Sequence, residues 1–535
     1  MERLKEESEA SSEALEMLRS LLVTHLGKRS KSDLLSIMAD PSLPFRLYPE
    51  HQRRYEDFLS AFEVVDPELA IESGQGHPEH ITTEGFLPRA ALAAVFARAA
   101  YGALMRKGAG DRVSGFLGGA AKSYAGTWED EDHTEAFVEL TGAKREDILV
   151  AHWTEKPFEP AFVIFWVHRM SWLVLAVRGS CEWSAVLTDM AAEESLLAGG
   201  LAHSGMARAA RWILSSAGAA MAEGLAQRPS YRLVCTGHSL GADVAQLVAI
   251  MLREGDTSTT DIPKCLGPRS EMEALDSFLN VEPVDRGYIV GSAKAAAPEF
   301  PQAMCQAFAY GFGASPIVSP ELAARCSSYV LSVALDADYI TRVSVFGIDR
   351  LILQLTDTQV HAVSRKRLAE RGTLCHLFGG CRHAVDLQVL DQEFEERSAA
   401  HMAKQWIRQK MGRSTGAPNL SPRARAFGAS SQVAEVLCTP GRLLHMDCRG
   451  VGLTAHPVKL FWSLPSFYHE LYISTHMFHD HLPIRYVEGL LEALRGALPG
   501  TGQGLCLQDR AHNPDAQETV RSSLEALIFN TAAVS

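Results

Sequence analysis

Short apolar runs that are rich in β-branched and aromatic residues recur along the chain. FVIFWV (162–167) and WLVLAV (172–177) are separated by only four residues, a pattern typical of two buried strands joined by a turn. Further strands are predicted at four later runs, which are LVCTG (233–237), YVLSVAL (329–335), LLHM (443–446) and YHELYIS (468–474).

Segments with helical periodicity separate several of these strands. The alanine-rich run PRAALAAVFARAAYGAL (88–104) combines good helix formers with apolar spacings of three and four, which predicts a packed helix. A second helix is predicted after LVCTG, because Val244, Leu247 and Val248 recur at helical spacing. Strands that alternate with helices predict an α/β fold with a mostly parallel central sheet.

Changes in composition divide the chain into three parts. Residues 1–85 are charge-rich, and we interpret them as a helical N-terminal extension. A globular domain is predicted over residues 86–500, followed by a tail over residues 501–535. The chain has 535 residues, of which 47% are hydrophobic, so it can bury a substantial core.

Charge and targeting signals narrow the classes of function. The formal net charge of −13 argues against a nucleic-acid-binding protein, which usually presents a basic face. We find no secretory signal and no apolar run of membrane-spanning length, and we expect a cytoplasmic protein with at most peripheral membrane contact. The ten cysteines have irregular spacing, so they suggest no disulfide framework and are expected to be reduced.

The main chemical signal is the pentapeptide GHSLG (237–241), which matches G-x-S-x-G and lies between a predicted strand and a predicted helix. In that context the two glycines allow a sharp turn that exposes the hydroxyl of Ser239 as a nucleophile. The helix that follows directs its unpaired N–H groups to the same place, where they favour an oxyanion. The alternative is a glycine-rich turn whose serine only caps a helix.

A serine nucleophile requires an acid and a histidine further along the chain, in the order Ser, Asp, His. Asp336 and Asp338 both follow the YVLSVAL strand, and spacing alone does not decide between them. Either aspartate is also compatible with an ordinary turn. The candidate histidines are His476, His479 and His481, with His445 and His469 as more remote options.

Two groups of histidines and cysteines raise the alternative of a metal site. The spacing His-x-x-His-x-His over 476–481 is not a specific zinc spacing, and no matching distant set of ligands stands out. Cys375, His376, Cys381 and His383 match no zinc-finger pattern. We therefore expect neither a metal nor an organic cofactor.

Six segments that occur in the same order resemble the class 3 lipases, and above all the intracellular diacylglycerol lipases. The six segments are VLAVRGS with LTDM (174–190), AHSGMARAARWI (202–213), VCTGHSLGADVAQLVA (234–249), AFAYGFGASPIVSPELA (307–323), LDADYITR (335–342) and HMFHDHLPIRY (476–486). The resemblance covers about residues 88–495 and implies an α/β-hydrolase fold, with a central mostly parallel sheet flanked by helices.

This resemblance implies roles for five residues. In the family pattern an arginine follows the acid by four positions, as Arg342 follows Asp338. The base lies in an Asp-His-Leu-Pro segment, as His481 does. The resemblance thus implies a triad of Ser239, Asp338 and His481. It also implies an oxyanion hole formed by Leu240 and Ser180, with a plain turn serine as the alternative for Ser180.

The chain departs from the family pattern in two ways. Asp243 stands where relatives often have glycine, and we expect its carboxylate to point away from the pocket because it would oppose an oxyanion. Residues 255–304 and 346–437 look like insertions. The stretch 411–432 within the second insertion is rich in Gly, Pro, Ser and Arg, and we hypothesise a gating loop modified by a kinase, with a passive linker as the alternative.

The resulting expectation is a serine lipase that hydrolyses acyl esters of glycerolipids, either diacylglycerol or monoacylglycerol, through an acyl-enzyme. The protein is expected to act by associating peripherally with the surface of a membrane or a lipid droplet. One alternative is a phospholipase A1-type enzyme or a general carboxylesterase of the same fold. The other is a catalytically silent relative that binds lipid.

Overall fold

The computed structural model describes residues 48–60, 85–108, 128–180, 194–256, 302–344, 437–449, 458–474 and 476–497, together with a few single positions. Eight strands within these ranges form one sheet: β1 (Ile148–His152), β2 (Phe162–Val167), β3 (Trp172–Val177), β6 (Arg232–His238), β7 (Phe308–Phe312), β8 (Val330–Leu335), β9 (Arg442–Asp447) and β10 (Lys459–Ser463). A separate hairpin is formed by β4 (Glu194–Leu197) and β5 (Gly200–His203).

The strand order in the sheet is β1-β2-β3-β6-β7-β8-β9-β10. The middle strands β3, β6, β7, β8 and β9 are parallel to one another, whereas β1, β2 and β10 join in antiparallel fashion at the edges. The prediction of a mostly parallel α/β sheet is confirmed. Because parallel strands end at the same side of a sheet, the segments that follow them are brought together there.

Helices flank this sheet. They are α1 (Tyr48–Ser60), α2 (Leu87–Ala99), α3 (Asp130–Thr141), α4 (Ser204–Gln227), α5 (Leu240–Glu254), α6 (Gln302–Cys305), α7 (Pro320–Arg325) and α8 (Pro483–Ala497). Helix α2 packs against β6 and α8, and α5 packs against β6, β7 and α4. The predicted arrangement of a central, mostly parallel sheet flanked by helices is therefore confirmed.

The core explains why several strand sequences are continuously apolar. Every residue of β2, β3 and β8 is buried, because other segments cover both faces of the sheet. Each buried valine, leucine or phenylalanine contributes about 1.5–3 kcal/mol by leaving water. The alanine-rich helix α2 forms as predicted, but it ends at Ala99 and a 3₁₀ segment (Gly102–Gly108) follows.

The strand predicted over residues 468–474 is wrong. After β10 the chain enters a 3₁₀ turn (Pro465–Tyr468) and then continues without a strand. Its apolar side chains are buried although the segment forms no strand. The backbone N–H of Ile473 donates to a side chain, His51 Nδ1, at 2.8 Å. The strands β1, β7 and β10 are not among the runs predicted from the sequence.

Other expectations meet the structure only in part. Among the described cysteines, Cys235, Cys326, Cys438 and Cys448 are buried thiols, whereas Cys305 is disulfide-bonded, so the expectation of reduced cysteines is wrong there. None of the described helices is both long and apolar enough to cross a bilayer. Several predicted features lie outside the described residues. They are most of the two insertions, the 411–432 segment, the 501–535 tail, and Cys375, His376, Cys381 and His383.

Candidate active site

Ser239 lies at the sharp turn between β6 and α5. Its backbone has φ +58° and ψ −135°, a conformation that residues with a side chain rarely adopt. The backbone N–H donates to the Phe312 carbonyl at 2.9 Å. Ser239 is the N-cap residue of α5, yet its side chain makes no capping hydrogen bond. This geometry matches a nucleophile elbow and differs from that of a serine that caps a helix.

The two glycines of the pentapeptide are required by close backbone contacts. A Cβ atom on Gly241 would overlap the Val177 carbonyl at the end of β3, and one on Gly237 would overlap the Gly241 carbonyl. Neither position therefore has room for a side chain, and at Gly241 this is because the end of β3 lies directly against the elbow. Ser180 directly follows Gly179, where a Cβ atom would lie 3.1 Å from Ser239 Cβ.

The imidazole of His481 is bonded to the carboxylate of Asp338. Its Nδ1 lies 2.9 Å from Asp338 Oδ1 and 2.8 Å from Oδ2, and both side chains are buried. Asp338 follows the end of β8, where Ile340 N donates to Oδ1 at 2.8 Å and the Tyr486 hydroxyl donates to Oδ2. A carboxylate only accepts, so the proton is on Nδ1 and the lone pair of the neutral ring is on Nε2.

The end of β7 connects this pair to the elbow. Gly313 has φ +62°, and a Cβ atom there would lie 3.0 Å from both His481 Cε1 and Asp338 Oδ2. The preceding residue, Phe312, accepts the hydrogen bond from Ser239 N. The structure therefore brings Ser239, Asp338 and His481 to one strand end from three distant parts of the sequence.

His238 links the elbow to the backbone of His481. Its Nε2 lies 2.7 Å from the His481 carbonyl, and its Nδ1 lies 2.9 Å from the Tyr101 hydroxyl. Because a carbonyl only accepts, Nε2 carries the proton and Nδ1 accepts from Tyr101. Burial, and then the neighbouring His481, hold the pKa of His238 well below its usual range, so the ring stays neutral. Sequence reasoning missed both residues, although His238 lies within the pentapeptide.

Arg342, the arginine of the family pattern, supports the segment that leads to His481. Its guanidinium carbon is 4.5 Å from the ring centroid of Tyr468 and 4.1 Å from that of Tyr472. Its Nη1 donates to the Phe467 carbonyl at 3.0 Å. The buried cation thus holds three residues of this irregular segment in place.

The other candidate residues have different partners. Asp336 accepts a hydrogen bond from Cys448 N at 2.8 Å, and burial followed by the charge of Asp480 raises its pKa well above the usual range. Within the described ranges, no group of three potential ligands could hold a metal ion. The remaining candidate histidines also have other neighbours. The two ring nitrogens of His445 lie 2.7 Å from the hydroxyls of Tyr55 and Tyr468. His469 lies beside Cys438, and the rings of His476 and His479 are 6.3 Å apart.

Asp243 is buried in the first turn of α5. Its carboxylate accepts hydrogen bonds from the backbone N–H of Ser315, at 2.8 Å, and from the Ser315 hydroxyl. Burial raises the pKa of Asp243 to about 8, and the two hydrogen bonds from Ser315 offset part of that increase. The carboxylate therefore faces the loop that follows β7.

Comparison with known proteins adds sequence relatives to this geometry. Residues 174–268 match the family described as lipase (class 3). The chain is 38% identical over 130 residues to diacylglycerol lipase-beta of Mus musculus, an alignment that covers 23% of this chain and 19% of that protein. It is 33% identical over 118 residues to the secreted mono- and diacylglycerol lipase A of Penicillium cyclopium, which covers 22% of this chain and 39% of that protein.

The chain thus spans well under two thirds of the length of these two relatives. Among solved structures, it is similar to the triacylglyceride lipase of Rhizomucor miehei, with a TM-score of 0.29 and 15% sequence identity. That likeness covers 48% of this chain and 73% of the other.

Proposed function

We propose that this chain, which carries a class 3 lipase sequence and resembles the diacylglycerol lipases, is a serine hydrolase that cleaves acyl esters of glycerolipids. The observation that carries the proposal is the convergence at the end of β7. The backbone of Ser239, a serine on a strained turn with no capping bond from its side chain, donates to Phe312, and the next residue, Gly313, lies against the buried His481–Asp338 pair. A silent lipid-binding relative would not require all three groups.

The proposed mechanism uses each group at a stated atom. His481 Nε2 takes the proton of Ser239 Oγ as this oxygen attacks the ester carbonyl, and Asp338 stabilises the imidazolium through Nδ1–H. The backbone N–H of Leu240, at the start of α5, and Ser180 receive the oxyanion. The departing glycerol alcohol takes the proton from His481, and water then cleaves the acyl-enzyme by the same sequence.

Diacylglycerol or monoacylglycerol is the substrate that we propose. The support is the similarity to two relatives that are named as lipases of these lipids. Such substrates reside in membranes or lipid droplets, so we propose peripheral association with such a surface. The kinase-modified gate at 411–432 remains a prediction outside the described residues. Phospholipid and simple-ester hydrolysis are the competing activities.

The test is fatty-acid release from a diacylglycerol, a monoacylglycerol, a phosphatidylcholine and a short p-nitrophenyl ester by the full chain. Ser239→Ala should lower turnover on the order of 10⁶-fold. Ser332→Ala is the matched control, because this buried serine bonds Gln246 and the Pro440 carbonyl in the core. Turnover of phosphatidylcholine alone would move the substrate class, and full activity of Ser239→Ala would refute the nucleophile.

A further inference from the structure

The Asp243 side chain joins the helix of the elbow to the loop after β7. Its own backbone N–H donates to the Ser239 carbonyl at 3.3 Å, so the residue belongs to the first turn that the nucleophile begins. Its two carboxylate oxygens accept from the N–H and the hydroxyl of Ser315, which is 72 positions away in sequence. Both side chains are buried, which shelters these hydrogen bonds from competition by water.

Ser315 ends the short turn that touches the acid–base pair. The turn begins at Phe312, whose carbonyl accepts from Ser239 N. It then passes Gly313, which lies against the His481 ring and the Asp338 carboxylate. The turn is thus fixed to the elbow at both of its ends, by a backbone bond at Phe312 and by Asp243 at Ser315.

We propose that Asp243 is a positioning residue of the triad, which holds the Gly313 turn against His481 and Asp338 by tethering Ser315. The inference rests on the proposed function, since Asp243 can position the triad only if His481 and Asp338 activate Ser239. A displaced turn would change the distance between the imidazole and the serine hydroxyl. A displacement of about 1 Å lowers turnover by about 100-fold in enzymes.

The protonation state of Asp243 gives the tether a pH dependence. Burial is the main cause of its raised pKa, and the groups that contact its carboxylate are those of Ser315. Among the described residues, Asp338 and His481 face the same turn at Gly313, the Tyr486 ring lies 6.1 Å from that of Phe312, and His238 precedes the nucleophile on β6. Above about pH 8, ionised Asp243 places a negative charge in the helix turn whose N–H groups stabilise the oxyanion.

The experiment measures how fast a fluorophosphonate probe labels Ser239 between about pH 6 and 9, together with kcat and KM for diacylglycerol. The variants, all in the full chain, are Asp243→Ala, Asp243→Asn and Ser315→Ala. Asp256→Asn is the matched control, because Asp256 is a buried carboxylate just beyond the other end of α5 that pairs with Arg211. Circular dichroism and thermal unfolding show which variants are folded.

Asp243→Ala should slow labelling and lower kcat by about 10- to 100-fold, with KM changed by less than about twofold. Asp243→Asn should recover most of the rate at neutral pH, because its carbonyl accepts from Ser315 N–H and its amide donates to the hydroxyl. It should also lack the decline in rate that we expect of the wild type as the pH rises through about 8. Ser315→Ala keeps the backbone bond and should lose less activity than Asp243→Ala. The Asp256→Asn control should follow the wild-type pH profile.

A folded Asp243→Ala that labels at the wild-type rate overturns the inference, and so does an Asp243→Asn as slow as the alanine variant. If Asp243→Ala does not fold, the other two variants are compared with the wild type. A folded Ser315→Ala that labels at the wild-type rate, or a folded Asp243→Asn whose labelling changes with pH as that of the wild type does, overturns the inference. Labelling of the wild type without diacylglycerol turnover refutes the proposed substrate, and the labelling rates still test the tether. A folded wild type that the probe does not label refutes both proposals.

Discussion

Replacing Asp243 by asparagine should change how the stability of the protein depends on pH. Burial raises the pKa of Asp243 from 3.8 to about 8. Between these values the native protein keeps the proton that the unfolded chain releases. Since the unfolded state then binds fewer protons, the free energy of unfolding falls by about 1.4 kcal/mol for each pH unit.

Over the whole window of about four pH units, this amounts to about 6 kcal/mol. The stabilising contribution is complete below about pH 4 and is lost as the pH rises through about 8. A loss of this size is comparable to the total stability of many proteins, which is about 5–15 kcal/mol. Asparagine does not titrate, so the Asp243→Asn variant should lack this decline.

The assay is urea-induced unfolding of the full chain at several pH values between about 5 and 8. The stability of Asp243→Asn relative to the wild type should rise by about 1.4 kcal/mol for each pH unit. Asp256→Asn removes a buried carboxylate that is bonded to Arg211, and this control should show no such rise. The difference in the free energy of unfolding between Asp243→Asn and the wild type could instead be the same at pH 5 and at pH 8. That result would show that the Asp243 carboxyl is already ionised in the native protein at about pH 5, and it would refute the reasoning from burial.

Three further substitutions test the supports of the triad. Tyr486→Phe removes a donor to Asp338 and should lower kcat by about 10-fold while the fold is kept, and an unchanged kcat would contradict this role. Arg342→Lys loses the planar contact with two rings and should lower the free energy of urea unfolding by about 2 kcal/mol, whereas equal stability would contradict it. Tyr101→Phe leaves His238 Nδ1 without its donor and should cost about 1–3 kcal/mol in the same measurement, and no loss would refute the assigned bond.

Local patterns in the sequence predicted most of the central sheet. The continuous apolar runs of β2, β3 and β8 are buried on both faces, and that is the situation in which such runs arise. The sequence around Ser239 also predicted its own local structure, since strand, turn and helix are formed by neighbouring residues. The pattern failed over 468–474, where apolar residues are buried around Arg342 rather than in a strand.

The contacts between distant residues could not be predicted from local patterns. Spacing left Asp336 and Asp338 equivalent, and the choice of Asp338 depended on a family resemblance. In the folded chain the two aspartates differ by their partners, His481 for Asp338 and the backbone of Cys448 for Asp336. The bond between Asp243 and Ser315 joins residues 72 positions apart, and no periodicity in either segment records it.

Helix α1 has a consequence for the design of shortened chains. It lies within the charge-rich residues 1–85, but Tyr55 bonds His445 in the sheet and His51 accepts from Ile473, near the segment that carries His481. A truncation that began at residue 86 would remove both partners and expose the apolar surface beneath them. Expression fragments should therefore start before Tyr48.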